Sequence, residues 1–296
     1  MTLYDLVTDP SLEAPVMILS LSGWVDAASV GTTAAGYLGE GGDIVAEFDR
    51  DALFDYRSSR PVLRFEDGDL VEVTWPRLTV VRASVSGLDI LTVTGSEPDF
   101  RWRALADDLS QLAVHFGVQM LVTLGAVPAA VPHTREPRVM TTASDKSLIG
   151  PSDDVLAGTL VVPGAAVSIL REQIVEAGVP AVGYWVQVPH YLNTTWYSGA
   201  VALLRRVESR LGVALDLSDL EAEQETQDGE LARMLDERPE AQTYVDKLEV
   251  ISDDASAQAA FERLGRLGDH QPLSPEELPT ADELAAEVEK YLRGEL

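Results

Sequence analysis

Short apolar runs alternate with amphipathic or small-residue stretches along the first two thirds of the chain. Pro15 to Leu21, Ile44 to Phe48, Leu78 to Arg82, Leu88 to Thr94, Met120 to Ala126 and Ala181 to Val188 are each of strand length and end at turn residues, a pattern that predicts buried strands. Between them, Ala27 to Leu38, Phe100 to Phe116, Ala165 to Ala177 and about Thr195 to Leu211 read as helices. Asp67 Gly68, set between Val62 to Phe65 and Leu70 to Trp75, is a hairpin signal. Thr141 to Gly158 shows little periodicity and reads as a long loop excursion. Alternating strand and helix predicts a three-layer α/β/α domain with a mixed, mainly parallel sheet over residues 1–215.

Side chains that meet a ligand or partner project from the carboxyl ends of strands in such a sheet, because helices cover both faces. The run Met120 to Ala126 gives way there to Val131 Pro132 His133 Thr134 Arg135 Glu136 Pro137 Arg138, a polar, proline-stiffened loop. A second Pro-His pair, Pro189 His190 Tyr191, follows the strand of Ala181 to Val188. The first strand ends at Ser22 Gly23 Trp24 Val25 Asp26, and that of Leu88 to Thr94 at Gly95 Ser96 Glu97. Trp24, Asp26, Glu97, His133, Arg135, His190, Tyr191 and Trp196 are therefore the candidate ligand-binding or interface residues.

Each candidate has a structural reading beside the functional one. Asp26 is placed to cap the helix that follows. The two histidines could act as acid and base, or hold a metal with Asp26, Glu97 or Asp145; their simpler role is to fix the turns by bonding loop backbone. Arg135 and Arg138 could grip a carboxylate or phosphate, but in so acidic a chain internal pairing is the first expectation. Tyr184, Trp185, Tyr191, Trp196 and Tyr197 concentrate aromatic surface around the second Pro-His loop and point to an interface rather than a pocket.

Beyond Ala214 the pattern changes to helices alone. Ser218 with Glu221, Ser274 with Glu277 and Thr280 with Glu283 have capping-box spacing, and Ala260 to Leu267 and Leu284 to Leu292 each carry a narrow apolar face. Residues 216–296 hold 23 acidic against 7 basic residues, so −16 of the net charge of −27 sits there. This segment is expected to be an acidic helical extension that packs on its own body or on a neighbouring subunit.

The charge makes nonspecific binding to nucleic acid or an anionic membrane an unexpected role. No apolar run approaches the roughly 20 residues that cross a bilayer, and Met1 to Pro10 lacks signal-peptide character, so a cytoplasmic location is expected. The absence of cysteine excludes disulfides, thiolate chemistry and Cys-based metal sites. The chain contains no G-x-x-x-x-G-K-[ST], G-x-G-x-x-G, H-E-x-x-H or G-x-S-x-G motif, and nothing in it calls for a cofactor or metal.

Gly23 Trp24 Val25 Asp26 Ala27, the Pro132 His133 Thr134 Arg135 loop and the Pro189 His190 Tyr191 Leu192 loop, in this order and separation, resemble the PAC2 family, named for a proteasome assembly chaperone. Leu231 to Leu235 and Leu278 to Leu284 resemble the extension of actinobacterial members. The resemblance implies a fold similar to the nucleoside phosphorylase class, self-association into homo-oligomers, and a role in protein assembly with partners such as proteasome subunits. Two expectations follow. One is a noncatalytic, oligomeric assembly chaperone or scaffold. The other is a protein or enzyme that takes a nucleoside-like or phosphorylated ligand, with His133, His190, Asp26 and Arg135 lining a cleft.

Overall fold

The computed structural model describes residues 2–156 and 158–253. In chain order the elements are β1 (Tyr4–Leu6), β2 (Val16–Ser22), a 3-10 turn (Ala27–Ser29), α1 (Val30–Leu38), β3 (Asp43–Phe48), α2 (Arg50–Leu53), β4 (Val62–Glu66), β5 (Asp69–Thr74), β6 (Leu78–Val85) and β7 (Leu88–Ser96). They continue with α3 (Trp102–His115), β8 (Met120–Ala129), β9 (Val139–Ala143), a second 3-10 turn (Lys146–Leu148), β10 (Asp154–Val155), α4 (Ala166–Glu176), β11 (Ala181–Pro189), α5 (Tyr197–Leu211), α6 (Ser218–Asp236) and α7 (Pro239–Asp253). The helix starts expected at Ser274 and Thr280 and the apolar faces of 260–267 and 284–292 lie outside the described residues.

Nine strands form one sheet in the order β1-β3-β6-β7-β2-β8-β11-β9-β10. Its centre, β7-β2-β8-β11, is parallel, and antiparallel pairings join β1, β3 and β6 on one side and β9 on the other. Alternation along β2 shows why the centre must be covered twice. Met17, Leu19 and Leu21 face a core with α3 and α4, while Val16 and Ile18 face a second core with α1 and α5. With helices on both faces, the fold is a three-layer α/β/α sandwich with a mixed sheet. The hairpin β4-β5 stands apart as its own two-stranded sheet.

Close packing explains two local choices. A Cβ on Gly125 would lie 2.4 Å from the Trp185 ring, so this position in β8 has room for glycine alone. Trp185 is held there by its indole N–H, which donates to Thr142 Oγ1 at 3.1 Å.

Three local expectations are corrected. The expected excursion of 141–158 holds the end of β9 and all of β10, since β9 pairs antiparallel with β11 and parallel with β10. Aperiodic sequence hid β9 and the edge strand β10 that pairs with it. Ser218 does not form a capping box with Glu221: its Oγ donates to Asp216 Oδ1 at 2.7 Å, and Glu221 pairs with Arg205. The aromatic concentration is partly core, since Tyr184 and Trp196 are fully buried.

Candidate functional site

The carboxyl ends of β7, β2, β8 and β11 run side by side, bringing the loops at Glu97, Trp24–Asp26, His133–Arg135 and His190–Tyr191 to one rim. Ala126 N–H donates to Val25 O at 2.7 Å, and Asp26 bridges to Ala126. These contacts seat the loop after β2 beside β8.

Glu97 ties that loop to the opposite helix layer. Its Oε2 accepts from Trp24 N–H at 3.2 Å and its Oε1 from Ala166 N–H at 2.7 Å, at the start of α4. Gly23 adopts φ +144, and a Cβ there would lie 2.9 Å from Glu97. The clamp therefore depends on glycine at this position. Trp24 itself is 64% exposed.

Asp26 is buried and acts as a helix cap across the intervening 3-10 turn. Oδ1 accepts from Gly31 N–H at 2.7 Å and Thr32 N–H at 3.1 Å, while Oδ2 accepts from Thr32 Oγ1 at 2.5 Å. Burial raises its carboxyl above the ordinary aspartate value, and the bonds from Thr32 and Gly31 oppose that rise. Ala28 and Ser29 are both left-handed, at φ 51 and 52, so the approach to α1 is strained where this carboxylate anchors it.

The Pro-His loops are joined to each other. His133 donates its backbone N–H to Tyr191 Oη at 2.8 Å, and its Nδ1 lies 2.8 Å from the same hydroxyl. Burial lowers the His133 pKa and pushes Tyr191 up to about 12. His190 donates its backbone N–H to Ala129 O at 3.1 Å, and its Nδ1 is 3.1 Å from that carbonyl. A carbonyl only accepts, so Nδ1 carries a proton toward Ala129, while Nε2 lies 3.0 Å from Tyr244 Oη.

Helix α7 lies over these loops. Arg135 makes a bidentate pair with Asp253 at 2.9 and 2.8 Å and a second ion pair with Glu249 at 3.1 Å; Thr134 hydrogen-bonds Glu249 as well. Tyr244 packs edge-on against His190 and Tyr191, with Val245 and Leu248 buried beneath the helix. Tyr244, Glu249 and Asp253 were not candidates from sequence. The legible signal was the spacing of Tyr244, Val245, Leu248 and Glu249 on one helical face.

These geometries separate residues that a small-molecule cleft would need together. Among the described residues no hydrogen bond links Asp26 to His133, Arg135 or His190: Asp26 points to α1 and Arg135 to α7. Trp196 is 1% exposed, beneath the surface rather than on it. Asp145 accepts from Ser147 N–H at 2.7 Å, and among the described residues no three His, Asp or Glu side chains are grouped to hold a metal ion. A cleft of 430 Å³ does open at the ends of β2 and β7, between Ser22, Ser96 and Glu97 on one side and, on the other, Val62 and Thr74 of the hairpin with Arg60 and Trp75 beside it.

The sandwich and its rim of loops define a class of α/β/α proteins that present strand-end loops on a rigid sheet. Within that class, the chain belongs to the PAC2 family, whose model matches residues 20–235. It is similar to a Mycobacterium tuberculosis protein of unknown function at 31% identity, covering 84% of this chain and 90% of that one, with a TM-score of 0.78. It is also similar to a proteasome-assembly chaperone homologue from M. tuberculosis at 31% identity, covering 78% and 99% of the two chains, with a TM-score of 0.70. A PAC2 family protein from Streptomyces avermitilis shares 33% identity over 78% and 99%, with a TM-score of 0.67. Among curated proteins, none matches the sequence.

Proposed function

We propose that this chain is a noncatalytic, self-associating assembly chaperone or scaffold whose rim docks subunits of a larger complex, the proteasome being the first to test. The observation that carries the reading is Trp24: a large aromatic side chain 64% exposed on a loop fixed from both sides by Glu97 and Asp26. Rigid exposed aromatics are the usual anchors of protein interfaces. The side chains a catalytic cleft would share are instead committed to caps, inter-loop bonds and ion pairs. Relatives include a proteasome-assembly chaperone homologue, which gives the reading its partner class. A cytoplasmic site of action fits that partner; among the described residues no helix is long and apolar enough to cross a membrane.

The test is sedimentation of the purified chain with proteasome α and β subunits from the same organism. A complex is expected, weakened about tenfold or more by Trp24→Ala, the loss a hot-spot anchor gives. No complex with either subunit set, or a complex indifferent to Trp24→Ala, overturns the reading. A thermal-shift panel of nucleosides and phosphate tests the other expectation: a ligand at 100 times its Kd adds about 2.7 kcal/mol, and we expect no member to do so.

A further inference from the structure

Half of the rim is already filled, and its occupant shows what chemistry it takes. The family match ends at residue 235, before α7 begins, so the Pro-His loops lie inside the matched region and the helix over them lies outside it. At 3.6 residues per turn, Tyr244, Val245, Leu248, Glu249 and Asp253 fall within about half of the helix circumference. Tyr244 Oη lies 3.0 Å from His190 Nε2, and its ring meets Tyr191 edge-on. Glu249 bonds Thr134 and pairs with Arg135, and Asp253 takes the same guanidinium through two bonds at 2.9 and 2.8 Å. Val245 and Leu248 are buried between these polar contacts, while Val250, on the far side, is 70% exposed.

The seat is specific but light. An arginine that grips two carboxylates from one helix, beside a shallow apolar seam, selects an acidic amphipathic helix by charge and by spacing. The grip itself is weak, because the Arg135–Asp253 pair is exposed on both sides and exposed ion pairs contribute little. Val245 and Leu248 are the buried side chains of α7, and a helix of 15 residues is marginal by itself in water. A helix of another chain with the same face can therefore take this place without disturbing either core of the sandwich.

We infer that the Pro-His half of the rim is a groove for an acidic amphipathic helix of the docked protein, and that α7 is a resident stand-in displaced when that helix binds. The docked helix carries an aromatic residue, an aliphatic residue four positions on, and carboxylates five and nine positions on, as Tyr244, Leu248, Glu249 and Asp253 do. The inference rests on the docking reading above and adds a second contact to it. Trp24 is the open part of the rim, and the groove becomes available only when α7 leaves. A partner that needs the open form binds with an affinity reduced by the fraction of chains in that form, so loosening α7 strengthens docking.

The probe is a fluorescent peptide with the sequence of residues 239–253, titrated by anisotropy into the full chain. The tethered helix holds the groove of the unmodified chain at an effective concentration on the order of millimolar, so little uptake is expected. Leu248→Ala with Asp253→Asn in the chain loosens α7 and leaves every loop residue in place, and peptide affinity is expected to rise about tenfold or more. Arg135→Glu in the chain should refuse this peptide and take up one carrying Glu249→Arg and Asp253→Arg. The loosened chain should also bind proteasome subunits more tightly than the unmodified chain does. A loosened chain that takes up no more peptide, or an Arg135→Glu chain that does not distinguish the two peptides, overturns the groove. A loosened chain that gains mass without peptide uptake shows that a second copy's helix fills the groove, and overturns the proposal as well. Peptide uptake with no gain in subunit binding overturns the displacement and leaves docking through Trp24 in place. Absence of any subunit complex overturns the docking reading by itself, and the groove is then decided by the peptides.

Discussion

Tyr191 and His133 share a single hydroxyl: its oxygen accepts the histidine's backbone N–H and sits 2.8 Å from the ring Nδ1. One phenol thus holds the two Pro-His loops together at the ends of β8 and β11. Tyr191→Phe removes it and leaves a partly buried N–H and ring nitrogen without a partner. The expected cost is about 1–3 kcal/mol, read as a lowered urea midpoint at unchanged m value. An unchanged midpoint would show that water replaces the hydroxyl.

The same pair sets a pH dependence. Burial holds the His133 pKa below its ordinary 6.5, so between that folded value and 6.5 the unfolded chain binds more protons than the folded one. Stability therefore rises with pH across this window and is lost as pH falls through it. Titration of the His133 ring by NMR should give a midpoint below 6.5, and stability should fall on acidification just under that pH. A midpoint above 6.5 would reverse the sign and contradict the placement.

Trp24 and Trp196 were both legible as aromatic residues near strand ends, and sequence could not separate them. Trp24 follows Gly23 in a turn and ends 64% exposed, whereas Trp196 precedes α5 and drops 1% exposed into the core shared by α1 and α5. Trp196→Ala should cost about 3–5 kcal/mol, and Trp24→Ala less than about 0.5. Chemical denaturation of the two variants checks both. Equal losses would contradict the assignment of one to the surface and the other to the core.

The buried strands, their order of alternation with helices, and the strand-end loops were readable because apolar runs of strand length have few alternative folds. Asp26 was readable as a cap because its carboxylate acts on residues five and six positions away. Glu97 was not readable as a clamp: its partners, Trp24 and Ala166, lie 73 and 69 residues away, and only the register of β2 with β7 brings them within reach. The strand β9 was hidden for a similar reason. Its pairing with β11 is fixed by tertiary contact and leaves no clear strand signal in the short stretch Val139 Met140 Thr141 Thr142 Ala143.

Gly23→Ala tests that clamp directly. The substitution forces a side chain into φ +144 and places its Cβ 2.9 Å from Glu97, so the carboxylate must leave Trp24, Ala166 or both. A loss of more than about 1 kcal/mol is expected from backbone strain alone. Glu97→Gln, which keeps an acceptor in place, should cost less. If the glycine variant is as stable as the unmodified chain, the turn has an alternative conformation and the clamp is not required.

Helix α7 supplies the last prediction, because it is held over the rim by two kinds of contact that respond differently to salt. Val245 and Leu248 are buried beneath it, while Arg135 grips Asp253 and Glu249 near its end at distances of 2.8–3.1 Å. Exposed ion pairs are screened as salt rises, and apolar burial is not. Arg135→Ala should therefore speed hydrogen exchange at the carboxyl-terminal amides of α7, leave β8 unchanged, and abolish most of the salt sensitivity of that exchange. Leu248→Ala should instead loosen the whole helix at every salt concentration, at a cost of about 2–5 kcal/mol to its docking. Should exchange in α7 ignore both substitutions, the helix does not depend on the Pro-His loops for its position, and any partner would find the rim already open.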